Sequence, residues 1–176
     1  MTLVTMDRIT FESLSAERLG WACMEPTFQQ IRAKSPEVKN EAISHLGRGQ
    51  KALCMFRILY GHSSNSAEEY YGWICYLLDQ PGHWEGVLEG LQYFGDFALI
   101  QLLEESKGIF AARNRRVGRG WGEAAIPDLN TDSELQTAVS GLYTRYQQIT
   151  AGSLRIIAEY IRANPEQFVV FSDPTA

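Results

Sequence analysis

Apolar residues recur at three- and four-residue spacing along almost the whole chain, and strict alternation is nearly absent, so the pattern predicts an all-α fold. A first helix is expected from about Leu14 to Ala33, with Leu14, Trp21, Met24, Phe28 and Ile31 on one stripe and a kink at Pro26. Ser35-Pro36 opens the next, because serine can accept free amides as a cap while proline fills the first helical position harmlessly. Its stripe runs through Val38, Ala42, Leu46, Leu53, Phe56 and Tyr60, and Gly47 and Gly49 stand where it would break into two pieces. Ser66 to Glu69 reads as a reciprocal capping box, Tyr70, Trp73, Ile74, Leu77 and Leu78 as the buried face behind it, and Pro81-Gly82 as the stop.

A short helix from about His83 to Phe94 should follow, closed by Gly95. Asp96 then caps another, with Phe97, Ile100, Leu103 and Phe110 inward as far as about Arg113. Asn114 to Asn130 has no periodicity and carries Gly118, Gly120, Gly122 and Pro127, which predicts one long Gly/Arg-rich loop. Thr131 to Glu134 is a second capping box. It launches the longest pattern, Leu135, Val139, Leu142, Tyr146, Ile149, Leu154, Ile157 and Ile161, which ends at Asn164-Pro165. Gly141 and Gly152 inside it each cost about 1 kcal/mol relative to alanine, which suggests close packing or a kink. "EQFVVF" reads as a short extended piece or a last helical turn. Together these segments predict a single compact domain, 1–176, of about six or seven helices.

The chain has 176 residues, 45% hydrophobic and 21% charged, which is enough for one sizeable core and excludes disorder and disulfide scaffolds. No apolar run approaches the roughly 18 to 20 residues of a membrane span, and Met1 to Thr10 lacks the basic start and apolar stretch of a secretion signal. A cytoplasmic location without a membrane partner is the expectation. Cys23, Cys54 and Cys75 lie far apart within apolar patterns and read as buried free thiols. Only Cys54 has a cation nearby in sequence, Arg57.

The segment "ARNRRVGRGWGEA", Ala112 to Ala124, places Arg113, Arg115, Arg116 and Arg119 beside three glycines and Trp121. A dinucleotide loop would need a strand before Gly118-Arg119-Gly120-Trp121-Gly122, and a helix precedes it; the other common phosphate loop requires a Gly-Lys-Ser/Thr ending that is absent. Arginines near a helix C-terminus interact favourably with its carbonyl end and pair readily with acids on neighbouring helices, which explains them without a ligand. His45, His62 and His83 lack metal-ligand spacing, and no nucleophile signature is recognisable, so neither a metal nor another cofactor is expected and catalysis has no support.

From Ile58 to Ser106 there is no Lys or Arg, while Glu68, Glu69, Asp79, Glu85, Glu89, Asp96, Glu104 and Glu105 supply eight carboxylates. If the apolar residues between them are buried, the carboxylates project outward as a patch of one sign, with Asp96 spent as a cap. Taken in order, "FRILYGHSSNSAEEYYGWICYLL", "HWEGVLEGLQYFGDFALIQLLEESKGIF" and "EYIRANPEQF" resemble a family of small bacterial helical proteins, mostly of unknown function, that includes a DNA-mimic protein. The resemblance spans roughly Leu53 to Phe171. It rests on the helix-start loop, the Gly95-Asp96 junction and Asn164-Pro165 with Phe168. Family members open the middle helix with Asn-Gly-Gly-aromatic, where this chain reads Asn65-Ser66-Ala67-Glu68-Glu69-Tyr70, so no functional residue is carried across. The resemblance implies an all-α fold, a bacterial source, protein binding through acidic surface in some members, and no enzyme activity.

The leading expectation is a protein-interaction module that presents Glu68, Glu69, Asp79, Glu85 and Glu89 to a basic protein partner. An alternative is nucleic-acid or phosphate-ligand binding through Arg113, Arg115, Arg116 and Arg119 with Trp121 for stacking, against which stand a net charge of −5 and a pI of about 5.2. A third class is a small enzyme with an aromatic pocket near Tyr70, Tyr71, Trp73 and His83.

Overall fold

The computed structural model describes residues 3–172, so the expected domain limits at 1 and 176 lie outside the described residues. The order is β1 (Val4–Met6), α1 (Arg8–Ser13), α2 (Ala16–Ile31), α3 (Pro36–Ser44), α4 (Arg48–Ser63), α5 (Ala67–Asp79), α6 (His83–Phe94), α7 (Phe97–Val117), α8 (Asp128–Thr131), α9 (Ser133–Ala163) and β2 (Val169–Phe171). Single 3₁₀ turns occupy Trp121–Glu123 and Pro165–Gln167. The fold is all-α apart from β1 and β2, which pair in parallel with Val4 opposite Val169 and tie the two ends together.

Local chemistry explains most boundaries. Ser66 accepts the Glu69 amide at 3.1 Å and starts α5, although only half of the expected box forms because Asn65 holds the Glu69 carboxylate. His83–Phe94 is helical as expected, Gly95 closes it at φ 76°, and Asp96 accepts the Leu99 amide at 3.2 Å to open α7. The break between α3 and α4 falls at Gly47, whose extended backbone caps α4.

One contiguous cluster forms the core. α9 crosses α2, α7 and α5, while α4 packs most extensively on α6. Leu19, Leu53, Ile74, Leu103, Tyr146 and Ile161 are fully enclosed within it. Glycine sets the α4–α6 spacing: a Cβ on Gly90 would stand 3.0 Å from the Ala52 carbonyl oxygen.

Several expectations are corrected. Nine α-helices stand among the described residues, because α1 and α8 are too short to show a period; α1 exists through its cap, Asp7, which accepts from the Thr10 amide at 2.8 Å. α7 continues past Arg113 to Val117, and the expected long loop is further divided by the turn at Trp121–Glu123 and by α8. α9 is capped by Asp132, which accepts the Leu135 amide at 3.0 Å, and Thr131 belongs to α8. Phe97 and Val38 are exposed, Trp21 leaves the core stripe for the surface, and Phe28 is only half-buried at the edge of the core. α2 continues through Pro26. Nothing approaches Gly141 or Gly152, so neither marks close packing.

Candidate functional site

The Gly/Arg segment is held by carboxylates of its own chain. Gly118 takes a φ of 68° as the C-cap of α7, and the Arg119 amide donates back to the Asn114 carbonyl at 2.9 Å. That reversal aims three arginines at the start of α8 and α9. Arg113 donates to Asp128 at 3.1 Å and to Asp132 at 3.3 Å, Arg119 donates to Asp128 at 2.7 Å, and Arg116 bridges Asp132 and Glu134. Burial pushes the Asp128 carboxyl up, but the Ala125 amide and the Arg119 and Arg113 guanidiniums together bring it below the ordinary aspartate value. The Leu135 amide, opposed by burial and helped by Arg113 and Arg116, does the same for Asp132. Arg115 is exposed, and Trp121 is half-buried against the core. Gly122 lies against the Asp79 carboxylate, which a Cβ would meet at 2.9 Å.

The acidic stretch divides. Asp96 is a buried cap, Glu104 reaches Lys107 and accepts from the Trp84 indole, and Glu105 takes both terminal nitrogens of Arg145 at 2.6 and 2.8 Å. Glu68, Glu69, Asp79, Glu85 and Glu89 are exposed, and among the described residues none joins an ion pair. Glu68 and Glu69 stand in the first turn of α5 and Asp79 at its far end, about 15 Å away at 1.5 Å per residue, while Glu85 and Glu89 share one face of α6.

A different feature gathers four of the ten buried, unpartnered side-chain polar atoms found among the described residues. An open groove of about 1810 Å³ is lined by the C-terminal half of α2, by α3, by one face of α4, by the end of α5 and by α6. Along one side the rings of His62, Trp73, Tyr76 and His83 stack in succession at 3.9, 4.7 and 6.1 Å. Partial burial lowers the pKa of His62, with the charge of Glu69 opposing it. On the other side Trp21 stacks on Phe28 at 5.7 Å. Trp21 and Tyr76 are each 44% exposed.

Between them lies Arg57, with its guanidinium carbon 5.1 Å from the Trp21 ring and 5.4 Å from Tyr60. Arg57 Nε and Nη1, Trp73 Nε1 and His83 Nδ1 are all buried without a hydrogen-bond partner, and all three side chains line the groove. The same walls carry Arg32, Lys39, Arg48 and Lys51 against only Glu25 and Glu89. The groove thus presents cations, N–H donors and ring faces, the equipment of recognition.

Of the residues first assigned to an aromatic pocket, Trp73 and His83 reach this groove. Tyr70 and Tyr71 are core, with the Tyr70 hydroxyl 2.7 Å from Ser106. In the sequence Arg57 stands out only as a neighbour of Cys54. The available signal was a lone cation at a position of the α4 pattern that also carries Leu53, Cys54, Phe56 and Tyr60. The three cysteines are buried and free, and burial pushes their thiols up to about 12. Among the described residues no three His, Cys, Asp or Glu side chains converge as metal ligands, and no helix is long and apolar enough to cross a membrane. Set beside known proteins, the chain matches no family model, no curated protein and no solved structure.

Proposed function

We propose that this chain is a protein-interaction module that takes a segment of its partner into the groove beside α4. The observation that carries the reading is the concentration of four unpartnered, buried polar atoms on three side chains of one groove. Buried donors lacking acceptors cost about 1–3 kcal/mol each, and a bound segment supplying acceptors recovers part of that cost. At about 1810 Å³ the groove exceeds the roughly 300–1,000 Å³ of small-molecule sites and suits a helix or an extended segment.

Gly61 offers a clean test, because it lies in the groove on α4 and nothing stands within 4 Å of the Cβ it would carry. Peptides selected from a displayed random library should bind the wild-type chain and lose at least about tenfold with Gly61→Trp. They should bind Gly141→Trp unchanged, since Gly141 is equally open but lies on α9 outside the groove. Selected peptides indifferent to Gly61→Trp would refute the reading.

The acidic surface supports a second reading, favoured by five exposed carboxylates outside any ion pair among the described residues: Glu68, Glu69, Asp79, Glu85 and Glu89 would meet a basic protein. Reversing Glu68 and Glu85, which stand outside the groove lining, to Lys should weaken and flatten the salt dependence of such binding while leaving peptide capture in the groove intact. Salt dependence that survives the reversal would sink it.

A further inference from the structure

We infer that Arg57 is an anion seat, and that the partner segment is acidic, placing a carboxylate on Arg57 and an aromatic side chain against the neighbouring rings. This assignment rests on the groove being the recognition surface. Arg57 is 7% exposed, yet its Nε and Nη1 have no acceptor. Trp21 and Tyr60 lie against the guanidinium, while the nitrogens that would hydrogen-bond a carboxylate remain unspent. Glu17 acts on Arg57 only at a distance, outside ion-pair range. A guanidinium stays charged at any ordinary pH, so a buried, unpaired one is an expense that the fold alone does not require.

The surroundings fix the sign and shape of the occupant. Arg32, Lys39, Arg48 and Lys51 line the same walls, five cations with Arg57 against two carboxylates, in a chain whose net charge is −5. A concave cationic site inside an acidic molecule attracts a short acidic segment locally, while the whole protein repels an extended polyanion such as a nucleic acid. The exposed faces of Tyr76 and Trp21 and the free Trp73 indole N–H give an aromatic anchor a ring to lie on and a donor to use.

The test uses two amidated 16-residue peptides with Trp and Leu at helical spacing, one carrying Glu at every remaining position and the other Gln. The Glu peptide should bind the wild-type chain at least about tenfold tighter than the Gln peptide, and Arg57→Met should abolish that preference. Arg57→Met should also melt no lower than wild type, because no ion pair or acceptor at Nε and Nη1 is lost, a buried charge is removed, and the methionine side chain still packs against the Trp21 and Tyr60 rings. If that variant does not fold, Lys51→Gln with Arg48→Gln, both exposed, should reduce the preference instead. Equal affinity of the two peptides, binding by neither, or tighter binding of a 16-nucleotide single strand overturns the inference. Gly61→Trp separates the two levels: if it blocks the Glu peptide while Arg57→Met leaves the preference intact, the groove stands and the anion seat falls.

Discussion

Removing Arg113 tests whether the Arg/Gly segment serves the fold. Its side chain is 9% exposed and links α7 to both Asp128 and Asp132. Breaking a buried ion pair by deleting one partner costs about 3–5 kcal/mol when the remaining charge is stranded. Here neither carboxylate is stranded. Asp128 keeps Arg119 at 2.7 Å and the Ala125 amide at 3.2 Å, and Asp132 keeps Arg116 at 3.3 Å and the Leu135 amide at 3.0 Å. Arg119 and Arg116 are 43% and 53% exposed, so each offsets the loss by no more than about 1 kcal/mol.

Arg113→Met keeps the aliphatic stem, and the balance is about 2 kcal/mol, or about 4–8 °C in Tm for a domain of this size. Arg115→Met, exposed and outside every ion pair among the described residues, should shift stability by less than about 0.5 kcal/mol. Both are read by urea and thermal unfolding. Because Asp128 and Asp132 have lowered native pKa values, the stabilisation is complete above the unfolded aspartate value near 3.9 and is lost as pH falls through the native values. The Arg113→Met deficit should therefore be full at pH 7 and shrink below about pH 4. Equal effects of the Arg113 and Arg115 variants, or a deficit unchanged at pH 3, would show that these ion pairs do not hold the segment.

Two glycines predict opposite signs in urea unfolding. Gly90→Ala forces a methyl to 3.0 Å from the Ala52 carbonyl, and the resulting strain should exceed the helix-propensity gain and destabilise by about 1 kcal/mol net, whereas a stabilised variant would mean that α4 and α6 part easily. Gly61→Ala, with open space around its Cβ, should stabilise by about 0.5–1 kcal/mol, and a loss would contradict the open groove face. Tyr70→Phe removes the hydroxyl contact to Ser106 but leaves that serine donating to the Leu102 carbonyl at 2.8 Å, so the cost should be about 1 kcal/mol, checked by denaturant midpoint.

Helix periodicity, caps and stops were legible in the residues because each is a local property. Ser66 before Glu69, Gly95 followed by Asp96, and Asn164-Pro165 marked boundaries that the backbone adopts. Short elements were not legible, since α1, α8 and the β1–β2 pair span too few residues to show a period, and the β pair joins segments distant in sequence. The destination of each charge was equally hidden. The sequence points Arg113, Arg116 and Arg119 to acids on neighbouring helices, but only the turn at Gly118 selects Asp128, Asp132 and Glu134 as those acids.

The sequence by itself determined an all-α chain and the order of its main helices, because hydrophobic spacing and capping act within a few residues of one another. Which face of each helix meets another was decided only by tertiary packing. Trp21, Phe28 and Arg57 belong to the same periodic stripes as true core residues, and whether such a stripe is covered depends on helices that are remote in sequence. In the folded molecule α9 and α6 cover most of those faces, and the uncovered remainder is the groove.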